Sequence, residues 1–442
     1  MIVAIFPTNV YEELRNNLLA DSRETCAILL ASTVRDGRRT RLLVRHAIYP
    51  EASDYRMRSE HRVELNAEFV ARSAKMAKAQ QLSLVVAHSH PDGSPRFSEV
   101  DDAGEAVLGA FLQRRCPQGV HVSLVLSPSG ASARVLGTTQ AVVIRHIGVV
   151  VHEVDTEKPT DSDQVLTPYE RQIRLFGKRA QVMLGKVRVG IVGLGGTGSL
   201  VAQQLAYLGV RDFVLVDHDV IEESNLNRVV GAFHNDIGAA KTAVAERHIR
   251  SIQGSARVKT IQADLLNSSV SRVLKNVDFL FSCTDTIGSR AVINQLSYQY
   301  YIPTIDMGVS IGMDRERKTI TGRVQMLSPG LACLVCGNLL DSDQVRRDLM
   351  SAEELKHDPY FLGVGEPQPA VISINSTVAS LAITMFLSAV AGIPSRPRLL
   401  LYDGVNGSLR NATIVSNPDC IVCSKHGALG RGNEWDLPRR PS

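Results

Sequence analysis

One stretch narrows the possible folds more than any other. In "VRVGIVGLGGTGSLVAQQLAYLG", residues 187–209, an apolar, β-branched run meets a loop containing Gly193, Gly195, Gly196 and Gly198. A segment of helical period follows and stops at Gly209. Glycines at a strand–helix junction let the backbone turn tightly and let a phosphate approach the helix N-terminus. The alternation then continues. "DFVLVDHD", "VDFLFSCTD" and "IPTIDMG" read as strands, and "AAKTAVAERHIRSI" and "SRAVINQLSYQYY" as helices. This predicts an α/β fold with a mostly parallel sheet covered by helices. Asp217 closes the second strand, about where an acid bonds a ribose hydroxyl. Those features alone specify a nucleotide or dinucleotide, with NAD the default.

Other residues pull away from NAD. "HDVIEESNLNRVV" brings Asp219, Asn227 and Arg228, "DIGAAK" brings Lys241, and "SCTDTIGSR" brings Asp285 and Arg290. Cations at Arg228 and Lys241 suit a triphosphate better than a nicotinamide. Asp285 stands at the C-terminal end of a buried strand, where open parallel sheets present ligand residues, and a carboxylate there can hold magnesium beside phosphates. Singly, each has a plainer explanation: Arg228 as a solvated cation, Asp285 as a helix cap. Together, from "YERQIRLFG" at 169 to about 426, they resemble the ThiF/MoeB superfamily of adenylating enzymes, relatives of ubiquitin-activating enzymes. The resemblance implies a Rossmann-like ThiF-type adenylation domain over 169–427. Its four glycines would cradle ATP, with Asp217 on the ribose, and Asn227, Arg228 and Lys241 on ribose and phosphates. Asp285 would bind magnesium, with Asp219 and Arg290 also in the cofactor site. Arg171 in "YERQI" matches an arginine that reaches the phosphates of the partner subunit's ATP, which implies a homodimer. The implied reaction is attack by the C-terminal carboxylate of a small protein on the α-phosphate, with pyrophosphate leaving; the protein positions the carboxylate and offsets phosphate charge.

The first 150 residues carry a different signal. "ETCAILLAS" and "LSLVVAHSH" read as buried strands, "HRVELNAEFVARSAKMAKAQ" as a helix, and "HVSLVLSP" with "ASARVLG" as paired strands. His88 and His90 lie two apart at a strand end, so both imidazoles face the same way. Asp101 can add an oxygen ligand. Three protein ligands plus a water is the layout of a catalytic zinc, which lowers the pKa of its water. A carboxylate must then move the proton. Glu24 is a candidate that nothing local proves, and a solvated, histidine-bearing loop is the alternative. The stretch "HSHPDGSPRFSEVDD" nevertheless fits H-x-H-P-x6-S-x2-D in full, with Pro91, Ser98 and Asp101 in place. With an upstream glutamate it resembles the JAMM motif of JAB/MPN-domain metallopeptidases, over residues 1 to about 145. The resemblance implies an α-β-α JAB/MPN domain over 1–150. His88, His90 and Asp101 would bind zinc, Glu24 would be the general acid/base, and Ser98 would help hold the oxyanion. Substrates in that family are bonds after the C-terminal glycine of ubiquitin-like proteins, or small sulfur carriers.

Of seven cysteines, four form C-x-x-C pairs, Cys333/Cys336 and Cys420/Cys423, separated by 83 residues. In an intracellular-looking chain this reads as metal ligation, not as disulfides. A closed four-cysteine zinc site is structural, and the ThiF/MoeB resemblance implies one here; a redox dithiol is the alternative for either pair alone. Cys26, Cys116 and Cys283 read as structural. Many ubiquitin-activating enzymes carry a further cysteine that takes a thioester, but no cysteine lies between Cys336 and Cys420. Adenylation without a covalent thioester is therefore expected, with transfer to sulfide, a persulfide carrier, a separate conjugating enzyme or an amine.

The totals exclude some classes. A net charge of +4, from 49 basic and 45 acidic residues, is too mild to argue for nucleic acid or an acidic membrane surface. Aromatics at 5% supply no stacking platform. "VISINSTVASLAITMFLSAVAGI", residues 371–393, contains Asn375 and several hydroxyls and reads as a buried helix, not a membrane span. The N-terminus lacks a basic leader region, so a cytoplasmic location is expected. Residues 151–168 read as a linker and 428–442 as a flexible tail. The first reading is a bifunctional enzyme that processes and activates a small ubiquitin-like β-grasp protein ending in glycine. Fusion would raise the local concentration of both sites for that one substrate. The alternatives are the same activities on a sulfur-carrier protein in cofactor or cysteine synthesis, a non-catalytic scaffold, and an NAD oxidoreductase.

Overall fold

A computed structural model describes residues 1–37, 39–91, 93–154, 167–313, 318–357 and 369–440. The chain divides into two compact units. The first comprises Met1–Lys158, Gln299–Tyr301 and Ala428–Asp436. Its elements are β1 (Ile2–Pro7), α1 (Thr8–Leu18), β2 (Cys26–Asp36), β3 (Arg39–Ile48), β4 (Tyr55–Arg58), β5 (Val63–Leu65), α2 (Ala67–Ala79), β6 (Ser83–Ser89), α3 (Glu99–Arg115), β7 (Val122–Ser127), β8 (Gly130–Val135), β9 (Val143–Ile147) and β10 (Val151–Val154). Eight strands form one sheet in the order β10-β9-β1-β3-β2-β6-β7-β8, and β4 and β5 pair separately.

Alternation along β2 explains the layering. Ala27, Leu29 and Ala31 enter one core with Leu14 and Leu18 of α1, while Ile28 and Leu30 enter another with Phe69 of α2 and Leu112 of α3. Successive strand residues point to opposite faces, so β2 is apolar at every position from Cys26 to Ala31 and helices cover both sides. This is the expected α-β-α arrangement.

Three sequence expectations change here. The helix expected over residues 61–80 begins only at Ala67, after β5, because Asn66 takes the N-cap position in extended conformation. Residues 151–154 of the expected linker form β10, antiparallel to β9, and 155–166 lie outside the described residues. Residues 428–436 of the expected flexible tail are folded into this unit. The Gly430 carbonyl accepts from Ser32 Oγ at 2.7 Å and Arg45 Nε at 3.1 Å, and the Gln299 amide donates to the Gly432 and Trp435 carbonyls. The glycines that suggest looseness are needed for turning: Gly430 and Gly432 have φ of +68° and +58°.

The second unit comprises Pro159–Tyr298, Ile302–Gly427 and Leu437–Ser442. It contains α4 (Glu170–Lys186), β11 (Arg188–Val192), α5 (Gly196–Tyr207), β12 (Asp212–Val216), α6 (Lys241–Ile252), β13 (Arg257–Ile261), α7 (Ser268–Leu274), β14 (Phe279–Ser282), α8 (Ile287–Gln299), β15 (Thr304–Met313), β16 (Lys318–Leu327), α9 (Ser342–Leu349), α10 (Ala352–His357), α11 (Ile372–Ala391), β17 (Leu399–Asp403) and β18 (Ser408–Asn411). The sheet order is β13-β12-β11-β14-β15-β16-β17-β18. Pairings from β13 through β15 are parallel; those from β15 through β18 are antiparallel. The sheet is thus parallel only in the half that carries the glycine loop. Strand order reverses between β11 and β14, which opens a crevice at their C-terminal ends. Helix α11 is long and apolar enough to cross a membrane by composition alone, yet 61% of its most apolar window is buried. Phe386 packs against Phe279 and Phe281, with ring centroids 4.9 and 5.5 Å apart.

Candidate functional sites

In the first unit β6 delivers His88 and the loop behind it delivers His90, while α3 begins so that Asp101 falls in its first turn. Ser98 caps that helix: its hydroxyl accepts from the Asp101 N–H at 3.3 Å, and its own N–H and hydroxyl donate to Asp101 Oδ2 at 2.6 and 2.7 Å. The capping box therefore aims the carboxylate. His88 Nε2 lies 3.2 Å from His90 Nε2 and 3.0 Å from Asp101 Oδ1, and His90 Nε2 lies 3.6 Å from Asp101 Oδ2. A tetrahedral zinc with nitrogen and oxygen ligands about 2.1 Å away needs ligand atoms about 3.4 Å apart, so these three donors fit that ion. His90 Nδ1 faces the Ser94 carbonyl at 3.2 Å; donating there leaves Nε2 free to ligate.

Glu24 is 7% exposed, and its Oε1 lies 3.7 Å from His90 Nε2. That distance is too long for a hydrogen bond. It sits just before β2, not within it. Burial pushes its carboxyl up, against the pull of His88 and His90. Burial acts the same way on Asp101, but hydrogen bonds from His88 and His90 outweigh it and hold that carboxyl well below the usual range. The Asp101 hydrogen bond in turn raises His90. Ser98, expected at the oxyanion, has its hydroxyl committed to the Asp101 carboxylate.

In the second unit the expected residues gather at the strand-order reversal. Gly193 (φ +85°) follows β11, and a Cβ there would stand 2.6 Å from the Cys283 carbonyl oxygen; a Cβ on Gly198 would overlap the Gly193 carbonyl oxygen. These two glycines are required by the fold itself. A Cβ on Gly195 would meet nothing within 4 Å, which leaves open space at the start of α5. Asp217, 7% exposed, accepts from the Leu194 N–H at 2.6 Å and the Asp219 N–H at 2.8 Å, tying the end of β12 to the glycine loop. Lys241, first in α6, reaches Asp219 Oδ2 at 2.7 Å. Arg228 donates to the Ser224 carbonyl at 2.6 Å and to Asn227 Oδ1 at 3.2 Å, and its Cδ would lie 3.5 Å from a Cβ on Gly196.

Asp285 is exposed in the loop after β14, and its carboxylate has no hydrogen bond or ion pair among the described residues. Arg290 is placed differently from the expectation. Its guanidinium donates to the Thr284 and Met307 carbonyls at 3.1 and 3.2 Å and lies 3.6 Å from Asp306 Oδ2. It braces the Asp285 loop from behind. Arg171 is exposed on the first turn of α4. Sequence reading gave Asn375 no place beside the glycine loop, yet this buried side chain of α11 is the nearest group to a Cβ built on Gly196. Its only signal was a carboxamide in an otherwise apolar helix. Substituting Gly198 with alanine should destabilise the protein by ~3 kcal/mol, the upper end for overpacking against rigid neighbours, and abolish ATP binding. Thermal unfolding and nucleotide titration check this.

The four paired cysteines converge. Sγ atoms of Cys333 and Cys420 are 3.5 Å apart, as are those of Cys336 and Cys423, and Cys333 to Cys336 is 3.8 Å. A tetrahedral zinc with sulfur ligands about 2.3 Å away needs about 3.8 Å, and a disulfide would need about 2.05 Å, so the set fits an ion. Backbone N–H groups of Asn417 and Val422 donate to Cys336 and Cys420 sulfurs at 3.3 and 3.4 Å. Cys283 is different. Its Sγ contacts Met307 Sδ at 3.9 Å, and burial pushes its thiol far up.

Residues 169–422 match the model of the ThiF family, and residues 7–145 match that of prokaryotic homologs of the JAB domain. The molybdopterin-synthase adenylyltransferase of Escherichia coli is 28% identical over 60% of this chain and 98% of its own length. The SAMP-activating enzyme E1 of Haloferax volcanii is 26% identical over 59% and 90%, and the sulfur carrier protein adenylyltransferase of Thermus thermophilus 28% over 58% and 90%. Among solved structures, the microcin C7 biosynthetic enzyme MccB aligns with a TM-score of 0.50 at 18% identity, over 60% of this chain and 77% of that one. This last likeness is one of fold.

Proposed function

The chain belongs to the ThiF family, and from that we propose an ATP-dependent adenylyltransferase that activates the C-terminal carboxylate of a small sulfur-carrier protein, joined to a JAB-domain zinc peptidase acting on the same protein. The observation that carries it is the meeting of glycine loop, Asp217, the Lys241–Asp219 pair and Asp285 at the strand-order reversal. Relatives named for molybdopterin synthase and for a sulfur carrier favour this over the ubiquitin-like reading put first from the sequence. That reading stays second, because another relative is named as an E1.

ATP with magnesium, when bound, supplies an electrophilic α-phosphorus. The chain's part is electrostatic and positional. N–H groups at the start of α5 and the cations Arg228 and Lys241 bear on phosphate charge. Asp217 retains lone pairs for a ribose hydroxyl, and Asp285 offers an unpaired carboxylate to the metal. Arg171 would act on a second copy's phosphates, so the active form is a homodimer. Cys283, packed behind the glycine loop with its thiol raised, is unsuited to take a thioester; the activated carrier passes to an acceptor outside this chain. In the JAB domain His88, His90 and Asp101 would hold a zinc, which when bound would supply a water of lowered pKa, and Glu24 would be the group that takes and returns a proton.

The test is ATP–pyrophosphate exchange by the purified chain. Magnesium-dependent exchange is expected on adding a β-grasp carrier ending in Gly-Gly, and none with a carrier lacking its last glycine. Exchange stimulated only by small-molecule carboxylates would overturn the protein-substrate reading. Nicotinamide dinucleotide binding without a magnesium requirement would overturn adenylation itself.

A further inference from the structure

The JAB carboxylate Glu24 stands on irregular backbone. Residues 21–25 belong to no helix or strand, and the β2 ladder begins only at Cys26, opposite His88. Something else must fix Glu24 relative to the metal ligands, because a general base works only within hydrogen-bond reach of its proton. The neighbouring structure is the separate two-stranded pair β4–β5. It grips the Glu24 peptide from both sides. The Glu24 N–H donates to the Ser59 carbonyl at 2.8 Å, and Arg58 Nε donates to the Glu24 carbonyl at 3.0 Å. The same guanidinium bonds Thr25 Oγ1 and pairs with Asp21 Oδ2 at 3.1 Å, while its plane lies 5.3 Å from the Tyr55 ring centroid. On the far side of this turn the Thr25 N–H donates to Ser89 Oγ at 2.9 Å, and the Ser89 N–H donates to the Thr25 carbonyl at 2.9 Å; Ser89 lies between His88 and His90. The Arg58 fork thus spans residues 21, 24 and 25, and one further residue links them to the histidines.

We propose that Arg58 is a positioning residue of the peptidase, holding the Glu24 backbone so that its carboxylate faces the His88–His90–Asp101 cluster. It touches no metal ligand and acts only through Glu24. An arginine suits the task because its rigid fork makes several charge-assisted bonds at once, which a lysine cannot. A lone hairpin is marginally stable in water, so the clamp also orders β4–β5. The inference rests on the peptidase reading for its kinetic consequence but not for its structural one.

Two measurements on the full-length, zinc-loaded chain test it. Hydrogen exchange should show faster exchange at the Glu24 amide in Arg58→Ala, with β6 and α3 unchanged; unchanged exchange at Glu24 overturns the clamp whether or not the protein cleaves anything. For cleavage the probe is a β-grasp carrier extended beyond Gly-Gly by a short peptide. Arg58→Ala should lower kcat by roughly 10–100-fold, the usual cost of losing a group that orients a catalytic one, with KM and bound zinc unchanged, and Arg58→Lys should recover part of kcat. A kcat within twofold of the parent in Arg58→Ala, or a loss carried by KM or by zinc, overturns the positioning role. Absence of cleavage by the parent would instead count against the peptidase reading, while the exchange result still decides the clamp.

Discussion

Asp285→Ala is expected to lower magnesium-dependent ATP–pyrophosphate exchange by about 10³-fold while leaving the melting temperature unchanged. The size follows from removing a carboxylate proposed to hold the metal that offsets phosphate charge, since single preorganised electrostatic contacts are worth about 10²–10³ in rate. The second half follows from geometry. Asp285 is exposed, lies outside any helix or strand, and has no partner among the described residues, and substitutions at such surface positions usually change stability by less than about 0.5 kcal/mol. The neighbours do not share this property: Asp217 holds the glycine loop and Asp219 pairs with Lys241, so changing either mixes folding with catalysis. A folded Asp285→Ala protein with exchange intact would remove this residue from the metal site and favour a scaffold role.

The sequence made β11, β12, β14 and β15 of the second sheet legible because each is an apolar run followed by glycine or a charged turn, though not the edge strand β13, whose exposed Arg257 and Lys259 break up its apolar pattern. It did not reveal β16 to β18. "KTITGRVQML" mixes Thr, Gly and Arg into its alternation, and although one partner, β15, directly precedes it, the other, β17, lies more than seventy residues downstream, so that pairing is decided by tertiary contact. The site was legible wherever the chemistry required a residue type at fixed spacing, as in His88-x-His90 or the cysteine pairs. It was illegible where a role depends on approach from distant chain. Asn375 meets Gly196 across 179 residues, and Arg58 meets Glu24 across 34; neither leaves a local pattern. Arg290 shows the converse. Its position at the end of "SCTDTIGSR" suggested a place in the cofactor site, but its guanidinium turns to the Thr284 and Met307 carbonyls.

Glu24→Gln is expected to reduce peptidase turnover by about 10²–10⁴-fold, the range for removing a general acid/base, with zinc retained at both sites. Retention follows from position: the donor atoms that lie within 4.8 Å of one another belong to His88, His90 and Asp101, and Glu24 is not in that group. A glutamine fills the same space, keeps a polar group toward the cluster and removes only the ability to accept a proton. His88→Ala should also abolish turnover, but by a different route. It removes a ligand, so metal analysis should fall from two zinc ions per chain to one, the survivor held by the four cysteines. Both variants should keep ATP–pyrophosphate exchange, because the adenylation residues belong to the other compact unit. The pair of variants separates proton transfer from metal binding in a way neither does alone. Cleavage that survives in Glu24→Gln while disappearing in His88→Ala would leave the zinc site standing and transfer the acid/base role to another group. Cleavage that survives both would remove the JAB domain from the chemistry.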